Sequence, residues 1–156
     1  MANQPGPAAR SDAPARPSVT LKRRLNAPPA KVFEAWTQAE KLVHWFGPAE
    51  TVVDTVKAEM DVRVGGKFWA SFNSVDGEFH KVGGTYLEVV PNQKLVFTWA
   101  WHTTPERESQ VTVTLRPDGG GTMLTLLHEK FFDQAAADGH TRGWTGTLEK
   151  LERFVA

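Results

Sequence analysis

Residues 80–130 read HKVGGTYLEVVPNQKLVFTWAWHTTPERESQVTVTLRPDGGGTMLTLLHEK. The stretch divides itself into strands and turns. Every second residue is apolar in Leu95-Phe97-Trp99-Trp101, in Val111-Val113-Leu115 and in Leu124-Leu126, with His128 next in the last series. A period of two suits half-buried strands. Between them lie Pro91-Asn92, Thr104-Pro105 and Pro117-Asp118-Gly119-Gly120-Gly121, residue types that build turns. Connections this short join antiparallel neighbours, because a parallel crossover needs about a dozen residues or more.

The pattern extends towards the N-terminus through Gly65-Gly66 and Asp76-Gly77. It predicts six strands, at 51–60, 67–74, 80–90, 94–103, 109–116 and 122–130, forming an antiparallel meander. A further strand at 19–25 is marked by Val19, Leu21 and Leu25. Next to it Pro28-Pro29 opens a short helix, since proline in a first turn forfeits no hydrogen bond. Val32, Phe33 and Trp36 form the buried stripe of that helix. Thr37-Gln38-Ala39-Glu40 fits a capping box for a second short helix carrying Leu42 and Trp45, and Gly47-Pro48 stops it. After the strands, Trp144, Leu148, Leu151 and Val155 recur on one face of a helix predicted over about 138–154, with Glu149 and Arg153 paired on the other side. At about 1.5 Å per residue that helix is about 25 Å long, enough to lie along a sheet. The fold class is therefore α+β, with a seven-stranded sheet whose one face only the last helix can cover. Long twisted sheets curl, which leaves room for an interior pocket.

Composition narrows the function. The chain has 156 residues, 40% hydrophobic and 23% charged, an ordinary balance for one domain. Lysine plus arginine equal aspartate plus glutamate, so the formal net charge is +0, and no long basic run offers itself to nucleic acid. No segment approaches the roughly 20 apolar residues of a membrane span. There is no cysteine, which removes thiolate nucleophiles and Cys-based metal sites. Residues 1–17 hold four prolines and no large apolar side chain except Met1, which predicts a disordered tail ahead of a single domain at 18–156. With no signal-peptide pattern, the expected location is cytoplasmic.

Ala27-Pro28-Pro29-Ala30-Lys31-Val32-Phe33-Glu34-Ala35-Trp36, Trp45-Phe46-Gly47-Pro48, Asp61-Val62-Arg63-Val64-Gly65-Gly66, Gly84-Thr85-Tyr86-Leu87-Glu88, His128-Glu129-Lys130-Phe131 and Gly143-Trp144 stand in an order that covers all but the tail. The chain resembles the activator-of-heat-shock-protein-90-ATPase homologue-like family, within the SRPBCC superfamily of START, birch-pollen-allergen and polyketide-cyclase relatives. The resemblance implies a helix-grip fold, a curved seven-stranded antiparallel sheet wrapped around a long C-terminal helix. The superfamily hosts carriers, receptors, cyclases and co-chaperones on one scaffold, so function has to be argued from the site. The eukaryotic activator that names the family carries a second, N-terminal domain, whereas a 17-residue tail precedes the fold here. A chaperone partner is therefore the less expected reading.

The expected function is binding of a small hydrophobic or aromatic molecule between sheet and helix. The candidate ligand-binding residues are Met60, Trp69, Phe72, Trp99, Trp101, His128, Trp144 and Leu148, because ligand pockets are lined mainly by apolar and aromatic side chains. Ordinary core packing is the competing reading for any aromatic stripe, and for Phe97 it is the preferred one. His128 shares a face with two leucines. It is the one catalytic candidate, as general base of a cyclase- or hydrolase-type enzyme; the competing reading is a hydrogen-bonded core histidine. Asp54 would point inward if it alternates with Val52 and Val56, but a one-residue slip exposes it, and exposure is the expectation. Asp61 and Arg63 are read as turn builders. No His-x-His, zincin, P-loop or nucleophile-elbow motif is present, so no cofactor and no metal is expected. Gly139, Gly143 and Gly146 each cost the last helix about 1 kcal/mol relative to alanine. They suit either a helix that leaves room or one that starts loosely. Monomer and homodimer both remain open.

Overall fold

Gly119 and Gly120 form a two-residue turn between Asp118 and Gly121. Both have positive φ, 56° and 87°, the conformation that a two-residue hairpin loop demands and that glycine adopts without strain. They join strands whose registers run unbroken from Asp118↔Gly121 to Gln110↔Glu129. The computed structural model, which describes residues 16–156, extends that hairpin into one sheet. In chain order its elements are β1 (Val19–Leu25), α1 (Pro29–Thr37), α2 (Ala39–Leu42), β2 (Thr51–Met60), β3 (Lys67–Ser74), β4 (Phe79–Val90), β5 (Lys94–Trp101), β6 (Ser109–Asp118), β7 (Gly121–Glu129) and α3 (Gln134–Val155).

The sheet order is β1-β7-β6-β5-β4-β3-β2, and every pair is antiparallel. Strands β2 to β7 are the expected meander, while α1 and α2 carry the chain from one edge, β1, to the other, β2. The curled sheet holds α3 against its concave side, the helix-grip arrangement. Trp144, Leu148, Leu151 and Val155 are all buried, as are Leu124, Leu126, Val111 and Val113 beneath the helix side of the sheet. Trp36 and Trp45 meet edge-on at 4.8 Å, and Trp45 Nε1 donates to the Ala35 carbonyl at 3.1 Å, which locks α1 to the segment after α2.

Several local expectations are corrected. Helix α3 has 22 residues, not seventeen: Asp133 caps it by accepting from Ala136 N at 2.9 Å, so Gln134–Ala137 belong to it. Aspartate is among the best N-caps, and the run of alanines behind it needs no apolar stripe to be helical. The Thr37–Glu40 capping box does not form. Thr37 is still the last residue of α1, and its hydroxyl donates to the Phe33 carbonyl at 2.7 Å; Gln38 is the N-cap of α2 and contributes no side-chain bond. Trp45 lies beyond α2, which ends at Leu42. The Glu149–Arg153 pair is absent among the described residues; Glu152 instead meets Arg23 at 2.6 Å. Strand β5 ends at Trp101, so His102 falls in the following turn.

Two local expectations about side-chain placement hold. Asp54 is exposed because the β2–β3 register breaks between Val52 and Lys57, leaving Thr51 and Val56 as the buried positions. Asp61 and Arg63 form a turn, with Arg63 Nε donating to Asp61 Oδ2 at 2.8 Å. The expected tail lies outside the described residues except for Arg16 and Pro17. Arg16 Nε donates to the Phe131 carbonyl at 3.1 Å, and the Pro17 carbonyl accepts from Phe131 N at 3.3 Å. No helix among the described residues is long and apolar enough to cross a membrane.

Candidate functional site

The inward face of β5 begins the site. Trp99 and Trp101 are two residues apart and so point to the same side of the sheet, their rings edge-to-face at 5.6 Å. Phe72 of β3 reaches Trp101 at 6.3 Å. Trp144 comes down from α3 to 5.2 Å from Trp99, and Phe46 arrives from the loop after α2, at 6.1 Å from both Phe72 and Trp99. Contacts of this kind favour tilted and edge-on geometries, as observed here.

Two histidines hold the indoles in place. His140, on α3, accepts through Nε2 from Trp101 Nε1 at 3.0 Å and from Trp99 Nε1 at 3.3 Å. Its Nδ1 lies 2.8 Å from the Ala136 carbonyl, so Nδ1 carries the proton. His128, wholly buried, accepts through Nδ1 from Trp144 Nε1 at 2.9 Å. An indole N–H can only donate, which leaves the His128 proton on Nε2, 2.8 Å from Ser109 Oγ. Ser109 passes the chain on by donating to the Trp99 carbonyl at 3.2 Å. Burial, with a smaller contribution from His140, pushes the His128 imidazole down to about 2. Burial also lowers His140, opposed by its bond to the Ala136 carbonyl. Both rings are neutral at pH 7.

Above this floor lies an open cavity of ≈ 560 Å³ between the sheet and α3. Phe46, Phe72, Trp99, Trp101 and Trp144 line it, and helix α3 faces it with Ala136, Gly139, His140, Gly143 and Thr147. Residues 47–50 form a third side. Thr147 Oγ1 sits between the carbonyls of Gly47 and Gly143, at 2.9 and 2.7 Å, and Lys150 Nζ donates to the Pro48 carbonyl at 3.2 Å. Charge appears only at the mouth, on Glu50, Asp76, Glu78 and Arg142. There the Ser74 hydroxyl and the Glu78 N–H hold the Asp76 carboxyl below the usual carboxylate range.

Four of the eight candidate residues thus come together: Phe72, Trp99, Trp101 and Trp144. The other four do not line this cavity. His128 lies beneath the floor, and its ring nitrogens are both engaged, so it has no lone pair with which to act as a base. Leu148 is packed in the core on the buried side of α3. Trp69 projects from the opposite face of the sheet, where Nε1 donates to Glu59 at 3.0 Å and Lys81 Nζ stands 4.5 Å from the ring centre. Met60 pairs with Phe68 on the inward face and packs against the core, lining a small void with Phe46, Phe68 and Trp99 rather than this cavity. Sequence reasoning missed His140 and Phe46 as lining residues; of its two readings of Gly139 and Gly143, the helix that leaves room matches their place on the cavity wall. His140 was readable, since it stands four residues before Trp144 and shares its side of the helix. Among the described residues no group of three or more His, Asp or Glu side chains is placed to hold a metal.

Comparison with known proteins agrees with this architecture. The family model described as activator of Hsp90 ATPase homolog 1-like protein matches residues 26–156. The chain belongs to this family. No protein of curated function matches it. Solved structures similar to it include a protein of Chromobacterium violaceum, 28% identical, with a TM-score of 0.76. Another is a Silicibacter pomeroyi protein named for the same family, 28% identical, with a TM-score of 0.72. A third, from Mesorhizobium loti, is 29% identical with a TM-score of 0.69. In each case the match covers 88% of this chain and 96% of the other.

Proposed function

We propose that this member of the activator of Hsp90 ATPase homolog 1-like family binds a small hydrophobic or aromatic molecule in the cavity between the sheet and α3. The observation that carries the reading is the state of the cavity floor. Three indoles and two phenyl rings face the ≈ 560 Å³ space, and all three indole N–H groups there are already bonded to His128 and His140. The floor offers ring surface and no unpaired donor, which suits an apolar occupant. The volume falls in the range of about 300–1,000 Å³ typical of small-molecule sites. The alternative reading, a cyclase or hydrolase using His128, loses its base to the bond from Trp144.

Native mass spectrometry of the purified protein is the direct test, paired with titration of the fluorescent apolar probe N-phenylnaphthylamine. An added mass that disappears on denaturation, or saturable probe binding, is the expected result. A bare mass together with no saturable probe binding overturns the reading.

A further inference from the structure

Three glycines interrupt α3, and their surroundings differ. At Gly146 a Cβ would stand 2.9 Å from Ala49 N and 3.2 Å from Ala49 Cβ. The loop approaches the helix too closely there for a side chain. At Gly139 the nearest atom to such a Cβ is Arg142 Nη2 at 3.9 Å, and at Gly143 it is Pro48 Cβ at 3.9 Å. Those are ordinary contacts. Neither residue has a positive φ. Packing and backbone geometry therefore leave room for alanine at both positions, and alanine is the better helix former.

The two glycines are four residues apart, so they lie one above the other on the face of α3 that lines the cavity. Their missing side chains enlarge that cavity and do nothing else visible in the fold. We infer that Gly139 and Gly143 set the size and shape of the ligand, as a strip of bare helix backbone facing the aromatic floor. A flat strip on one side and rings held by hydrogen bonds on the other make a slot. The ligand class that fits a slot is a planar, fused-ring aromatic molecule, in preference to a flexible acyl chain. This inference rests on the cavity being a ligand site.

The test compares wild type with Gly139→Ala, Gly143→Ala and the double Gly139→Leu/Gly143→Leu variant. The readouts are Tm and the Kd for two fluorescent probes, the planar fused-ring 1-aminoanthracene and the fatty acid cis-parinaric acid. The expected wild type binds the planar probe more tightly than the fatty acid. Each alanine variant should melt about 2–4 °C higher than wild type. The leucine variant should weaken the planar probe by about tenfold or more, since even one extra methylene in an apolar pocket discriminates by about that much. A lower Tm in either alanine variant overturns the inference, because the glycines would then serve the fold. So does a preference of wild type for the fatty acid. Unchanged Kd in a folded leucine variant of a probe-binding wild type overturns the inference alone. If the leucine variant does not fold, the alanine variants decide: they must melt higher and bind the planar probe more weakly. A wild type that takes neither probe defeats the ligand-site reading itself.

Discussion

Lowering the pH should destabilise this protein well before its carboxylates titrate, and His128 supplies the magnitude. In the unfolded chain the imidazole takes up a proton as the pH falls through about 6.5. In the native state it stays neutral down to about 2, because it is buried and its Nδ1 lone pair is occupied by Trp144. The unfolded state therefore binds more protons throughout that interval. The contribution to stability is complete above about pH 6.5 and is lost as the pH falls towards the native value. Between about pH 7.5 and 5.5 the loss from this one group is about 1.4 kcal/mol, or about 3–6 °C in Tm for a chain of this length. His140 is also lowered and adds to the loss with the same sign. Urea unfolding at both pH values and constant salt measures it. The comparison is with His128→Gln, whose carboxamide oxygen can accept from Trp144 while its amide donates to Ser109. The variant starts from a lower stability, so its pH slope, not its absolute stability, is the readout. A wild type equally stable at both pH values, or a variant that keeps the full slope, would refute the argument.

Two further perturbations follow from the same geometry. Ser109→Ala leaves the His128 Nε2–H buried without an acceptor and should cost about 1–3 kcal/mol in a urea titration, although Ser109 lies outside the cavity lining. Gly146→Ala, which helix propensity alone would score as stabilising, should lower Tm. Its Cβ would press on Ala49, and overpacking of this kind costs about 1–3 kcal/mol.

The fold was legible where local signals agreed. Strands β6 and β7 alternate strictly, their turn carries the two glycines it needs, and the observed hairpin follows. The apolar face of α3 was equally clear. Strand β2 was not, because Val52 and Val53 offer two registers and the irregular pairing with β3 chose neither throughout. The site was harder for a physical reason. Which strand ends meet the helix depends on contacts across the whole chain: His128 is fixed by residues 109 and 144, and His140 by residues 99 and 101. Part of the error was nevertheless avoidable. Trp69 and Phe72 are three residues apart on one strand, and side chains an odd number apart point to opposite faces. Only one of them could line an inward cavity. Phe72 is the buried one, and Trp69 lies outside, under Lys81.

The paired histidines also explain how so many indoles can face a cavity without making it polar. Buried tryptophan usually needs a partner for its N–H, and water in the cavity is the simplest partner. Here the protein supplies one internally: His140 for Trp99 and Trp101, and His128 for Trp144. Each histidine serves as acceptor only because it is neutral, and each is neutral largely because the same aromatic rings exclude water from it. The two requirements support each other, and protonation of the accepting nitrogen of either ring would set donor against donor. The polar groups left over stand at the mouth, where Glu50, Asp76, Glu78 and Arg142 remain in reach of solvent. On the proposed reading, a ligand therefore inserts its apolar end first. Any charge or hydrogen-bonding group it carries stays at the rim, between residues 47–50 and the β3–β4 hairpin.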